Sequence, residues 1–206
     1  MMATIDRGDA NGLFEGLAAD SAEQLAALHR RLAADAQAAG LLDIAYRTLD
    51  TPVGTLLLAA TPAGLVRVAY PNENHDTVLT TLAERVSPRV LAAPARLDAV
   101  AREIDEYFAG ARTRFDLPLD LQLTGGFRRQ VIEQLSDIGY GRRASYAAVA
   151  AAVGNPRAVR AVGSACAHNP LPVVIPCHRV VRSDGSIGQY VGGIEAKTTL
   201  LTLEAA

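Results

Sequence analysis

Cysteine is almost missing from this sequence: there are two residues, Cys166 and Cys177, both late in the chain and without CxxC spacing. That excludes a disulfide framework and a cysteine-based zinc site, while leaving room for a single reactive thiol. Lysine is reduced to Lys197, the other basic residues being arginine, which reads as composition bias rather than mechanism. No run of about eighteen uncharged apolar residues occurs, so no transmembrane helix is expected. The opening MMATIDRGDANG carries acids where a secretory leader would be basic and then apolar, so a cytoplasmic protein with no membrane partner is expected. What is present is ordinary for a globular chain: 206 residues, 50% apolar and 20% charged, enough for one large domain or two small ones with buried cores.

A net charge of −2 argues against nucleic-acid binding, yet the average hides an asymmetry. Residues 126–182 hold eight arginines (Arg128, Arg129, Arg142, Arg143, Arg157, Arg160, Arg179, Arg182) against Glu133 and Asp137, a local +6 that leaves −8 for the remainder. A basic face on an acidic whole is compatible with phosphate-backbone binding and equally with a solvated arginine surface.

Ser21-Ala22-Glu23-Gln24 has capping-box spacing, and Leu25, Leu28 and Leu32 then share a face before Gly40, which predicts an N-terminal helix. Between residues 44 and 70, Thr51-Pro52-Val53-Gly54 and Thr61-Pro62-Ala63-Gly64 punctuate apolar runs, predicting a three-stranded antiparallel meander. Residues 75–86 and 97–109 return to helical spacing, and Arg114-Phe115-Asp116-Leu117 reads as a further strand. From Gly126, Phe127, Val131 and Leu135 mark a helix that Gly139-Tyr140-Gly141 breaks; a second starts at Ser145, ends at Gly154-Asn155-Pro156, and a third runs from Arg157 to about His168. Helix, tight turn, helix is the spacing of a helix-turn-helix. Its second helix is nearly smooth, through Ala158, Ala161, Gly163, Ser164 and Ala165, so its backbone can closely approach a partner helix or a narrow groove.

The most informative stretch is Asn169-Pro170-Leu171-Pro172-Val173-Val174-Ile175-Pro176-Cys177-His178-Arg179. Its three prolines predict a rigid, extended backbone leading up to the thiol. A histidine beside a cysteine, with arginines nearby, is a setting that lowers a thiol pKa and supplies a base. The competing assignment is a cysteine buried in an apolar strand with a satisfied core histidine. The placement of the dipeptide at the end of a proline-stiffened strand puts the nucleophile first.

PCHRVV, preceded by RAVGSACAHNP and followed by SDGSIGQYVGG and a terminal LLTLE, resembles the O6-alkylguanine-DNA alkyltransferase family over roughly residues 43–206. The resemblance implies an α/β (α+β) fold, a small ribonuclease-H-like domain over 43–120 followed by a helical, winged-helix-like DNA-binding domain over 121–206, with residues 1–42 left outside it as a helical extension. It implies that Cys177 accepts the alkyl group, that His178 takes its proton through a water, that Glu204 orients the imidazole, and that Asn169 ties the recognition helix to the active-site strand. It places Arg160 in the duplex through the minor groove, with Arg157, Ser145, Ala161 and Gly163 alongside on DNA. Tyr146, Tyr190, Val180, Val191 and Gly192 would surround the flipped nucleotide, the Tyr146 hydroxyl donating to guanine N3. The implied partner is double-stranded DNA carrying O6-alkylguanine or O4-alkylthymine, met by a monomer that uses no cofactor and no metal and reacts once.

Some positions depart from the family pattern. Val191 stands where relatives often carry serine, which leaves only backbone N–H groups there to serve O6. Ala167 and His168 occupy places often basic, and Val131-Ile132 stands where many relatives have tryptophan. Two other functions compete: a thiol hydrolase using Cys177, His178 and Glu204, which would turn over, and a helix-turn-helix lesion sensor, which would lack the acceptor cysteine.

Overall fold

The computed structural model describes the backbone of residues 7–205 and the side chains of residues 23–205. Two compact units are present, Met1–Leu42 and Asp43–Ala206. The first contains helix α1, Arg7–Ala38, which ends just before Gly40 at φ 65°. It runs through Ser21 rather than starting there, because Ser21-Ala22-Glu23-Gln24 sits among helix formers on both sides and needs no break; the Ser21 side chain lies outside the described residues. Leu25, Leu28 and Leu32 are all exposed. No helix among the described residues is long and apolar enough to cross a membrane.

The second unit begins with the expected meander: β1 (Ile44–Leu49), β2 (Leu56–Thr61) and β3 (Gly64–Ala69), antiparallel with Ala45 opposite Ala60 and Leu58 opposite Val68. A fourth strand, β4 (Val90–Ala92), follows helix α2 (His75–Arg85) and pairs parallel to β1, giving the order β3-β2-β1-β4. Three residues are too few to show a period, so β4 left no pattern in the sequence. Ile44, Leu57, Ala59, Val66 and Ala69 pack with Val78 and Leu82 of α2 as one core cluster. Helix α3 (Asp98–Phe108) buries Val100, Ala101, Ile104 and Tyr107.

Residues 114–117 form no strand, contrary to expectation. Asp116 N–H is taken by the buried Glu103 carboxylate at 2.8 Å, and Pro118 has no N–H to extend a ladder. The chain makes a single bridge to β3 instead, Leu65 N–H donating to Pro118 O and Asp120 N–H donating to Leu65 O, each at 2.8 Å. This segment crosses Gly64, at φ 145°, so closely that a Cβ would overlap the Pro118 carbonyl. We expect Gly64→Ala to lower stability by about 2 kcal/mol through overpacking and an unfavourable φ, read as a shifted urea midpoint at unchanged slope.

The remainder is helical: α4 (Gly126–Leu135), α5 (Tyr146–Ala152), α6 (Val159–Ala167) and α7 (Gly193–Leu203). Helix α6 packs on both α4 and α5, burying Val162, Ala165 and Cys166. A two-residue parallel pair, β5 (Ala144–Ser145) with β6 (Val180–Val181), ties the start of α5 to the chain beyond the thiol.

Candidate active site

The proline-rich stretch before the thiol is a turn, not the extended strand expected. Ile175 N–H donates to Leu171 O at 2.8 Å, Val173 sits at φ 72°, and Cys177–Arg179 is a single 3-10 turn. A proline's fixed φ suits a turn as well as an extended chain, and the choice is made by Asn169. Its carbonyl oxygen accepts from Leu171 N–H at 3.0 Å, its amide donates to Ile175 O at 2.9 Å, and the same amide donates to Cys177 Sγ at 3.1 Å. One side chain therefore closes the loop and touches the sulfur. The turn is docked on the outer edge of β3, where Val68 N–H donates to Pro170 O at 2.8 Å.

Cys177 and His178 are both buried. His178 Nε2 lies 2.8 Å from Glu204 Oε1. An ionised carboxylate only accepts, so Nε2 carries the hydrogen and Nδ1 keeps its lone pair. That Nδ1 is buried and without a hydrogen-bond partner among the described residues. Burial lowers the His178 pKa against the pull of Glu204, so the ring is neutral at pH 7 and able to take a proton.

Glu204 is the anchor of the site. Besides His178 it accepts from Arg179 Nη2 at 2.8 Å and Nε at 2.9 Å, from the Tyr107 hydroxyl at 2.7 Å and from Gly141 N–H at 3.2 Å. Burial alone would raise its pKa; hydrogen bonds from His178, Arg179 and Tyr107 reverse this and hold it at about 2. The Arg179 guanidinium also donates to Ile138 O and stacks over Tyr140 at 5.8 Å.

The thiol itself contradicts the expectation of a lowered pKa. Burial pushes Cys177 up to about 11, and the Asn169 hydrogen bond, the Lys197 charge and the Tyr190 hydroxyl only partly offset this. The thiol is thus protonated at rest. Lys197, itself 0% exposed, donates from Nζ to Val180 O at 2.6 Å. Val180, expected in the pocket, is fully buried and reaches the site through that carbonyl.

The other expected pocket residues come from two elements. Tyr146, the first residue of α5, is half-buried, with Gly163 of α6 against its ring and Gly188 against its hydroxyl. Tyr190 lies edge-on to His178 at 6.3 Å between ring centres. Val191 offers its carbonyl to Asn72 Nδ2 at 2.8 Å, and Gly192 covers the Tyr70 ring so tightly that a Cβ would come within 2.6 Å of it. Ser145 is the N-cap of α5, its Oγ accepting from Ala148 N–H at 3.0 Å. Arg157, Arg160 and Ala161 are exposed around the first turn of α6, a few residues of chain from the buried Cys166 face, while Gly163 is half-buried. The site also uses residues whose role there was not read from the sequence: Tyr107, Lys197, Tyr70 and Asn72, and Arg179 as a partner of Glu204. A lone lysine in the apolar helix α7 was a usable signal; Tyr70 and Asn72 carried none.

The chain matches the model for the 6-O-methylguanine DNA methyltransferase DNA binding domain over residues 126–206 and that for the ribonuclease-like domain of the same proteins over 44–121. It is 39% identical over 161 residues to a methylated-DNA--protein-cysteine methyltransferase of Mycolicibacterium paratuberculosis, covering 78% of this chain and 92% of that one. It is 38% identical over 164 residues to the constitutive methylated-DNA--protein-cysteine methyltransferase of Bacillus subtilis, covering 77% and 94%. Among solved structures, that of Mycobacterium tuberculosis OGT in complex with DNA superposes with a TM-score of 0.69 at 36% identity, covering 78% of this chain and 92% of that one. The two halves match in order, the identity extends over most of both chains, and the chain belongs to the 6-O-methylguanine-DNA methyltransferase family.

Proposed function

We propose that this protein repairs DNA directly, moving the alkyl group of O6-alkylguanine in a duplex onto Cys177 and being consumed in the process. The observation that carries this reading is the Asn169–Cys177 and His178–Glu204 arrangement: a buried thiol beside a base that Glu204 keeps in the accepting tautomer. His178 Nδ1 takes the thiol proton through one bridging water, and Glu204 balances the imidazolium that forms. The thiolate then attacks the saturated carbon on O6. An S–C bond forms, the C–O6 bond breaks, and the electron pair leaves on guanine, which ends protonated. The product thioether offers water no easy path to hydrolysis, so turnover is not expected. O4-alkylthymine presents the same O–alkyl bond and is taken as a second substrate.

Arg160 enters the duplex from the minor groove and fills the place of the extruded base, the small residues Ala161 and Gly163 allowing α6 to sit close. Tyr146 donates to guanine N3 as charge grows on the purine. Tyr190 and Gly192 wall the alkyl pocket, and with valine at 191 only backbone N–H groups serve O6. The protein acts as a monomer in the cytoplasm, and its binding is salt-dependent and nearly independent of sequence.

Mixing the protein with excess duplex containing one O6-methylguanine and mapping peptides by mass spectrometry tests this. One methylene should appear on the Cys177 peptide, saturate at one per molecule, persist in Cys166→Ala and vanish in Cys177→Ala. Lesion binding without any gain on Cys177 would make the protein a sensor.

A further inference from the structure

That mechanism leaves unexplained why a phenol from the segment after β3 reaches the pocket. Tyr70, directly after β3, is 1% exposed, and its hydroxyl meets that of Tyr190, 120 residues later, at 3.1 Å with the rings edge to face at 5.7 Å. Gly192 seats on the Tyr70 ring, and Asn72, two residues on, holds the Val191 carbonyl. The segment after β3 thus grips the pocket loop at three consecutive residues, Tyr190, Val191 and Gly192.

We propose that Tyr70 is a positioning residue for the Cys177 thiolate: its hydroxyl donates to the Tyr190 oxygen and thereby commits the one Tyr190 proton to the sulfur. The inference rests on the alkyl-acceptor reading of Cys177. It follows from counting donors. Each phenol has one O–H, a thiolate only accepts, and the Tyr190 hydroxyl has both the Cys177 sulfur and the Tyr70 oxygen as hydrogen-bond partners. Once the thiolate forms, Tyr190 serves it best by donating to it, and Tyr70 must then donate to Tyr190. Burial raises the pKa of both phenols, so neither gives up its proton and the chain stays hydrogen-bonded from end to end. A bond in such a chain is stronger than the same bond alone. Nothing in this arrangement is local in the sequence; the segment after β3 supplies one hydroxyl and the pocket loop the other.

The other groups facing the sulfur are the Asn169 amide just beyond α6, Lys197 of α7, Cys166 of α6 and Tyr146 of α5, with His178 the next residue in the chain. Removing one phenol oxygen leaves all of them in place.

The test uses iodoacetamide on the full chain without DNA, so it does not depend on lesion transfer. The Cys177 thiolate displaces iodide, an S–C bond forming as the C–I bond breaks, and the rate on the Cys177 peptide reports the thiolate fraction from about pH 7 to 10. Tyr70→Phe keeps the ring that supports Gly192 and should slow the reaction about threefold at each pH, equivalent to a thiol pKa about half a unit higher. Tyr190→Phe should slow it about tenfold, and adding Tyr70→Phe to it should change nothing more, because Tyr70 acts through Tyr190. An unchanged rate in Tyr70→Phe overturns the proposal. So does a Tyr70→Phe effect of the same size in the Tyr190→Phe background, which would mean that Tyr70 only supports the fold. Methyl uptake from O6-methylguanine duplex by the unmodified protein, measured alongside, separates failure of this inference from failure of the repair reading.

Discussion

Glu204→Ala should cost about 3–5 kcal/mol of stability and abolish measurable alkyl transfer, the largest effect of any single substitution outside Cys177. The carboxylate is the common acceptor for His178, Arg179, Tyr107 and Gly141 N–H. Removing it strands the Arg179 charge in a buried site and frees the His178 ring to turn or change tautomer. Urea unfolding measures the first effect and methyl uptake at Cys177 the second. The pH dependence has a definite sign. Glu204 falls from an ordinary value of 4.5 to about 2 in the fold, a depressed pKa. Its contribution to stability is therefore complete above about pH 4.5 and is lost as pH drops through about 2. Glu204→Ala should be missing that part of the acid-unfolding curve. If instead the variant unfolds at the same urea concentration as the parent at pH 7, the network is not what holds α7 against the active-site turn.

Arg160→Ala should cut repair of O6-methylguanine in a duplex by about a hundredfold while leaving the iodoacetamide rate at Cys177 as it was. Extruding a nucleotide costs a few kcal/mol of stacking and pairing, and a side chain that fills the vacated space offsets much of that cost. About 2.7 kcal/mol corresponds to a hundredfold in rate. Arg160 is exposed at the start of α6 and has no part in the thiol's surroundings, so the two readouts separate. A lesion opposite an abasic site, where no pair must be broken, should recover part of the loss. Equal repair of duplex by parent and variant would remove Arg160 from the extrusion step.

The antiparallel meander, the three helices after Gly126 and the adjacency of a thiol and an imidazole at Cys177-His178 could all be read from the chain, because each rests on residues close together. Turn residues at Pro52-Val53-Gly54 and Pro62-Ala63-Gly64 set the hairpins, and Ser145 capped the helix it was expected to start. Local reading failed where one residue answers to something distant. Residues 114–117 have strand composition, but the Glu103 carboxylate and Pro118 hold them off the sheet. The prolines before Cys177 permitted either an extended chain or a turn, and the Asn169 side chain selected the turn.

The sequence by itself determined that a thiol and an imidazole stand on adjacent residues, since the bonded order of Cys177 and His178 cannot be altered by folding. Tertiary structure alone decided the protonation states. Burial raises the Cys177 thiol to about 11, opposite to what its basic neighbours suggest, because desolvation penalises a thiolate more than a few partners repay. The four-donor cage around Glu204 and the contact of Tyr70 with Tyr190 likewise exist only once α3, α7, β3 and the pocket loop are brought together. Spacing along a chain records which groups are available; the dielectric and the geometry that set their reactivity come from what packs around them.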